Sequence, residues 1–383
     1  MDSPYRRELE VAIAAAETAA RISRDVLSTA QADASAGTFD LVKDDLSFVT
    51  VADFAIQALL TRTLQAAFPD DGFIGEESAG ALRQNPRLLA RVLAVLAQCA
   101  SPDNSNNNNT LFHDADDLCN VIDSCTTVTT LTPGESPART WVFDPIDGTK
   151  TFMRREQYAI NIALLADGGR QVLSVVACPL LAASYDISIP LTDSSVDPTG
   201  RGSLLYAVRG HGAYIRPLSP GAGSDDDTRA HTTVTRKLPR HADDATSPER
   251  LRSVTCWNLL DSGLGSVHQA VASQLGTPFP GSDLLGWVPR WACLALGAAN
   301  MTVWVYHSPG RHAKIWDHAG AMLLFEEVGG LVTDVRGKPI DLAAGRKLDC
   351  NFGFVAAPRS LHPIVLEAIH EVLRASGREE MLR

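Results

Sequence analysis

The stretch Trp141–Lys150, WVFDPIDGTK, constrains this chain more than any other. Trp141, Val142 and Phe143 make a short apolar run that stops at an acid, and Pro145 follows at once. The proline ring fixes its own φ and removes a backbone donor, so neither a helix nor a paired strand continues through it. The chain must turn, which brings Asp147 back toward Asp144 and aims the Ile146 carbonyl at the same point. Standing alone, the pattern also fits an Asx-type turn between two strands.

Carboxylates sit at element boundaries in three further places: Asp53 in VTVADF, Glu76 and Glu77 in GEES, and Asp317 in IWDHAG. Taken singly, Asp53 and Asp317 read as caps of the helices that follow them, and Glu76–Glu77 as a solvated loop. Taken together with Asp144 and Asp147, they offer hard oxygen ligands suited to Mg²⁺ or Mn²⁺ and not to zinc. Carboxylates held close without a cation repel, and one of them takes up a proton. Gly148 then allows close backbone approach to a ligand, and Thr149 and Lys150 open a segment whose free N–H groups favour a phosphate oxygen. His307, His312 and His318 cluster around Asp317, but they lack the spaced pair of a histidine metal site, and hard carboxylates dominate nearby.

The chain has 383 residues, too many for one ordinary core. It is expected to form two units, an α+β domain over residues 1–200 with the GEES and DPIDGT boxes and an α/β domain over 201–383 with WDHAG and the substrate-side residues. A net charge of -11 argues against a nucleic-acid face and leaves a small anionic ligand open, because bound cations reverse the sign of a site locally. No apolar run reaches the length of a membrane span, and MDSPYRRELE lacks a signal-peptide core. The seven cysteines include no C-x-x-C pair, which fits a reducing, cytoplasmic setting without a disulfide framework.

Apolar periodicity predicts helices over 5–30 and 53–68, the second stopped by Pro69, and a third over 86–99. FIGEES (73–78) reads as a short strand running into a loop, and SPDNSNNNNT as a surface insertion. AINIALL and QVLSVVAC read as two strands joined by ADGGR, with LLYAVRG and GAYI as a further hairpin and 217–250 as a long exposed loop. Farther on, 290–300 predicts a helix, 301–306 a strand, HAGAMLLFEEVGG a helix closed by Gly329 and Gly330, and LVTDV a strand. The order predicts layered α/β architecture with a mixed sheet in each half.

The boxes GEES, DPIDGT and WDHAG, in this order and followed by GG-x-x-TD at 329–334, resemble those of the lithium-sensitive, Mg²⁺-dependent phosphatase superfamily of inositol monophosphatases and fructose 1,6-bisphosphatases. Within it, KDDLSFVTVAD, DGTKTFMRREQYAI and VVACPLL look most like the 3′(2′),5′-bisphosphate nucleotidases. The resemblance implies an αβαβα sandwich and a phosphomonoesterase converting adenosine 3′,5′-bisphosphate to AMP, as a monomer or homodimer. It implies Glu76, Asp144, the Ile146 carbonyl, Asp147 and Asp317 as ligands of about two or three Mg²⁺ ions, with Mn²⁺ as an alternative. Asp53, Thr149 and Glu76 would be catalytic, Asp53 acting through Thr149 on the attacking water. Gly148, Thr149, His268, Arg290 and Asp317 would contact substrate.

The substrate side departs from the family pattern. Thr151 and Arg155 replace expected glycines, Trp287 an expected serine, and Trp304 an expected arginine. Trp287, Trp291 and Trp304 read either as core or as a stacking surface. The departures keep two other readings open: a same-fold phosphatase for an inositol phosphate or a specialised-metabolite phosphate, and a non-catalytic binding protein.

Overall fold

The computed structural model describes residues 3–35, 51–98, 111–128, 130, 131, 134, 137–219, 234–241, 248–257 and 262–383, with backbone alone over 30–35. Residues 43–50 of the KDDLSFVTVAD resemblance, the Asn-rich run and much of the expected 217–250 loop lie outside the described residues. Helices α1 (Arg6–Ser35) and α2 (Val51–Ala67) come first, then β1 (Gly72–Gly75), α3 (Gly80–Gln84), α4 (Pro86–Gln98) and α5 (Ala115–Ser124). β2 (Arg139–Asp147), α6 (Thr149–Arg154), β3 (Ala159–Ala166), β4 (Arg170–Cys178), β5 (Ser203–Val208), β6 (Gly212–Pro217) and β7 (Arg236–Lys237) follow. The last third holds β8 (Val254–Thr255), α7 (Gly265–Gln274), β9 (Ser282–Asp283), α8 (Trp287–Leu296), β10 (Thr302–Trp304), α9 (Ala321–Glu327), β11 (Gly330–Thr333), β12 (Phe354–Pro358) and α10 (His362–Ala375).

Strands β1 to β7 form one sheet in chain order, with β1 parallel to β2 and every other pair antiparallel. This sheet runs across residue 200. β7 lies inside the stretch expected to be a loop, because Arg236 and Lys237 pair with the edge of β6. The mixed sheet expected for the second half is instead antiparallel: β12, last in sequence, inserts between β10 and β11 and runs against both. The pair β8–β9 is separate and parallel.

The strands explain the layering. Trp141, Phe143, Ile160, Ile162 and Leu164 face a core shared with α1 and α2. Val142, Ala163, Leu165 and Val176 face the opposite core, shared with α8 and α9. Both faces are therefore buried, which is why these strands are almost wholly apolar; each fully buried Ile, Leu or Val contributes about 1.5–3 kcal/mol. Beyond α8 and α9 lies the three-stranded sheet, covered in turn by α10 and α7. The result is the expected αβαβα sandwich. Arg139 locks its first layers: it donates to Asp71 and to Glu8 on α1, while the Trp141 indole donates to the same Asp71. No helix among the described residues is long and apolar enough to cross a membrane.

Candidate active site

The site starts where β2 ends. Its register against β3 shifts between Asp144 and Asp147, the local bulge that Pro145 demands. Asp144 Oδ1 accepts the Ile146 N–H at 3.0 Å, so the Asx turn is present and serves to hold the first acid. Asp147 Oδ2 accepts the N–H of Val288 in the first turn of α8. Gly148 follows with φ +89°, and a Cβ there would stand 2.6 Å from Thr151 Oγ1. Thr151 donates that hydroxyl to the Gly148 carbonyl at 2.7 Å, which gives this departure a structural purpose. Arg155 ends α6 in a left-handed conformation and donates to the Leu27 carbonyl, so it anchors α1 where a glycine was expected. Thr149 Oγ1 donates to the Ile146 carbonyl at 3.3 Å.

Asp317 arrives from the opposite layer, in a 3₁₀ turn over Ile315–Asp317. Asn161 on β3, the cross-strand partner of Asp144, donates to the carbonyls of Trp316 at 2.7 Å and Ala319 at 2.8 Å. One buried amide thus pins the turn above Asp144. Gly320 must follow, because a Cβ would lie 2.8 Å from that of Ala163 on β3. Oxygens of Asp144, Asp147 and Asp317 consequently lie within 4.8 Å of one another.

Glu76 emerges from β1, whose Gly75 stands beside Phe143 of β2. Gln57 on α2 fixes the emerging chain: its Nε2 donates to the Glu77 carbonyl and its Oε1 accepts the Glu77 N–H, both at 2.8 Å. Arg346 donates to the carbonyls of Glu76 and Cys125 from the other side. Replacing Gln57 by Leu leaves a buried N–H and C=O unpaired, at a cost of about 2–4 kcal/mol. We expect that variant to melt several degrees lower and to bind Mg²⁺ more weakly, measured by calorimetry.

Glu76, Glu77, Asp144, Asp147 and Asp317 are each harder to ionise than normal. Burial, then Glu76, Asp147, Asp317 and Asp53, raise Asp144 well above the usual carboxylate range. Burial, then Asp147 and Glu76, do the same to Asp317. Burial raises Asp147 to about 6, against the pull of the Val288 N–H. Glu76 is raised to about 7 by the protein packed around it and then by Asp53 and Asp147, although it remains open to cleft water. Burial and Asp53 raise Glu77 to about 8. Asp53 is buried in the first turn of α2. A crowd of mutually repelling carboxylates made of hard oxygen donors is the chemical signature of a divalent-cation cage.

The cage opens into a cleft of about 500 Å³. Gly148, Thr149 and Lys150 line it on one side, and Leu285, Gly286, Trp287, Arg290 and Trp304 on another. Arg290 is buried, with Nε donating to the Leu284 carbonyl and Nη2 to that of Leu285. His268 lies off the cleft lining: its Nε2 accepts the Val305 N–H at 2.9 Å and its ring packs against Trp304. Burial lowers it to about 3, so it is neutral. Trp291 and Trp304 are core, while Trp287 is half-buried at the cleft wall. His318 is buried and accepts from the Trp291 indole; His312 lines the cleft. Sequence reasoning missed Asn161, Gln57 and the cleft-lining Tyr306, Arg311 and Lys314. The basic spacing of GRHAK, just ahead of the IWDHAG box, was the available signal for the last two.

Solved structures place this architecture in the inositol monophosphatase fold class. A Thermotoga maritima IMPase superposes with a TM-score of 0.56 at 17% identity, covering 96% of this chain and 99% of that one. SaIMPase-II with 2′AMP bound gives 0.54 at 16% identity, covering 97% of each. The chain belongs to the inositol monophosphatase family, whose sequence profile matches residues 5–374. It is 31% identical over 382 residues to a 3′(2′),5′-bisphosphate nucleotidase of Emericella nidulans, covering 97% of this chain and 99% of that protein. A 3′(2′),5′-bisphosphate nucleotidase of Schizosaccharomyces pombe is 31% identical over 365 residues, with 95% of each chain covered.

Proposed function

We propose that this chain is a Mg²⁺-dependent phosphomonoesterase that cleaves the 3′-phosphate of adenosine 3′,5′-bisphosphate, giving AMP and inorganic phosphate. The observation that carries the chemistry is the convergence of Asp144, Asp147 and Asp317 oxygens within 4.8 Å, in a cleft shared with Glu76 and the Gly148–Thr149 turn. The names of the relatives supply the substrate class. The donor set fits magnesium: Glu76, Asp144, the Ile146 carbonyl, Asp147 and Asp317 would hold about two or three ions, with Mn²⁺ able to substitute. When bound, the ions acidify water and offset the charge that builds on the transferred phosphoryl group.

The chain's own residues do the rest. The N–H groups of Gly148 and Thr149 bind the scissile phosphate. Asp53 takes the proton of the attacking water through the Thr149 hydroxyl, which exchanges its long bond to Ile146 for one to Asp53. The water oxygen bonds to phosphorus as the bond to the leaving 3′-oxygen breaks, and that oxygen takes a proton from solvent. The boxes hold no Cys, and their one Ser, Ser78 of GEES, does not line the cleft as a nucleophile would, so no covalent phosphoenzyme forms. Asp317 and Arg290 face the leaving group, and His268 acts on it only by fixing Trp304. On this reading the protein is lithium-sensitive and works in the cytoplasm as a monomer or homodimer.

Trp287 at the cleft wall favours a second reading, in which an inositol phosphate or a specialised-metabolite phosphate meets the same chemistry. Phosphate release decides between them. We expect release from adenosine 3′,5′-bisphosphate at least tenfold faster, in kcat/KM, than from inositol 1-phosphate or inositol 1,4-bisphosphate, dependent on Mg²⁺ and suppressed by Li⁺. Preference for an inositol phosphate overturns the nucleotide assignment, and no release from any of them points to a binding protein.

A further inference from the structure

The last of the sequence boxes, GG-x-x-TD at 329–334, supplies nothing to the cleft: Asp334 is wholly buried and lies off its lining. Its carboxylate builds turns instead. Oδ1 accepts the N–H groups of Arg336 at 2.9 Å and Lys338 at 2.8 Å, and Oδ2 accepts that of Phe352 at 3.3 Å. Asn351 extends the frame, donating Nδ2 to the Pro339 carbonyl at 2.9 Å and accepting the Asp341 N–H on Oδ1 at 2.7 Å. The chain from 341 to 351 is therefore a loop pinned across its neck, and Arg346 stands within it.

Arg346 reaches two of the elements that carry acids. Its carbonyl accepts the Ile315 N–H at 3.2 Å, and the Leu348 N–H donates to the Ala313 carbonyl at 3.1 Å. Lys314 and Lys347 face each other between these bonds as an antiparallel bridge, so the loop is laddered to the strand of chain that enters the Asp317 turn. The guanidinium of the same residue lies over the Trp316 ring, 4.8 Å from its centroid. Nη1 donates to the Cys125 carbonyl at 2.9 Å and Nη2 to the Glu76 carbonyl at 3.4 Å. The Cys125 carbonyl also accepts the N–H of Gly75 at 3.4 Å, one residue before Glu76.

We infer that Arg346 is a positioning residue that sets the separation of Glu76 from Asp317 and so the affinity of the acid cage for cations. Asp144, Asp147 and Asp317 are registered to one another by β2, Asn161 and Gly320; Glu76 enters from β1, and Arg346 ties that exit to the Asp317 turn. A planar fork stacked on a ring can hold two carbonyls at once, which an ammonium cannot. Arg346 lies off the cleft lining and meets Glu76 at its main chain, so it acts through the ligands and not on the substrate. The inference rests on the phosphatase reading only in taking Glu76 and Asp317 as cation ligands.

The probe is Mn²⁺ binding to the full chain without substrate, read by electron paramagnetic resonance. Arg346→Met keeps an unbranched stem against Trp316 and removes both donors; it should bind Mn²⁺ about tenfold more weakly. Arg346→Lys keeps the charge, which stands within electrostatic reach of Glu76, and loses the fork; it should still bind about threefold or more weakly. In Arg346→Met the Mg²⁺ concentration that half-saturates phosphate release should rise by the same factor as the Mn²⁺ loss, while kcat at saturating Mg²⁺ changes by less than about threefold. Wild-type Mn²⁺ affinity in either variant overturns the tie, the lysine result by showing that charge alone suffices. A variant that is unfolded in chelator, or whose kcat collapses at saturating Mg²⁺, overturns it too, by making Arg346 structural. Mn²⁺ binding needs no turnover: absent phosphate release with the expected loss of affinity would sink the phosphatase reading and leave this role standing.

Discussion

Asp147→Asn lowers phosphate release by roughly a thousandfold and leaves the melting temperature of the chelated protein unchanged or higher. The two halves of this result have one cause. Asp147 is buried beside Asp144 and Asp317, and burial raises it to about 6. Its charge repels its neighbours in the cation-free protein, so neutralising it relieves strain there. The amide oxygen of Asn can still accept the Val288 N–H, so α8 keeps its anchor. On the proposed reading the same charge helps to hold the cations, and its loss removes electrostatic stabilisation aimed at the transferred group; single contributions of that type are worth about 10²–10³ in turnover. Kinetics with saturating Mg²⁺ and melting curves in chelator measure the two halves. Near-normal turnover would remove Asp147 from the machinery, and a large drop in melting temperature would make its role structural.

The second large effect is a stability profile whose dependence on magnesium grows as pH rises. Folded pKa values near 6 for Asp147, 7 for Glu76 and 8 for Glu77 exceed the unfolded values, which lie near 4. The native state therefore holds more protons than the unfolded state between about pH 4 and pH 8, and stability falls as pH rises through that window. In chelator the protein should lose up to about 1.4 kcal/mol per pH unit for each of the buried Asp147 and Glu77, and less for Glu76, whose charge the cleft water screens. Magnesium at a hundredfold its dissociation constant adds about 2.7 kcal/mol near pH 8, and far less near pH 5, where protons compete for the same oxygens. Denaturant melts at several pH values, with and without Mg²⁺, give the comparison. A chelated protein whose stability climbs from pH 5 to pH 8 would show that these carboxylates are not held as described.

The sequence exposed the acids because each one interrupts an apolar run or opens a helix, and a charge at such a boundary is visible without coordinates. The strands β2, β3 and β4 were legible for the same reason: both faces are buried, so each reads as an apolar run with few polar residues in it. What stayed hidden is held by contacts between distant segments. Asn161 looks like any polar residue in AINIALL until β3 is laid against β2 and its amide reaches Trp316 and Ala319. The antiparallel second sheet depends on β12 returning between β10 and β11, which no local periodicity records. His268 carries no sign that Val305 and Trp304 enclose it. Two-residue strands such as β7 and β9 are too short for any alternating pattern to form.

The carboxylates reach the cage from the exit of β1, the exit of β2 and the turn ahead of α9. No local fragment owns the complete set, so a subglobal opening that frees any one contributor dismantles the whole. Cation uptake is consequently weighted against all these openings at once. Its trace in amide exchange should be simultaneous slowing in β2 and α9, segments far apart along the chain, with the same cation dependence in each.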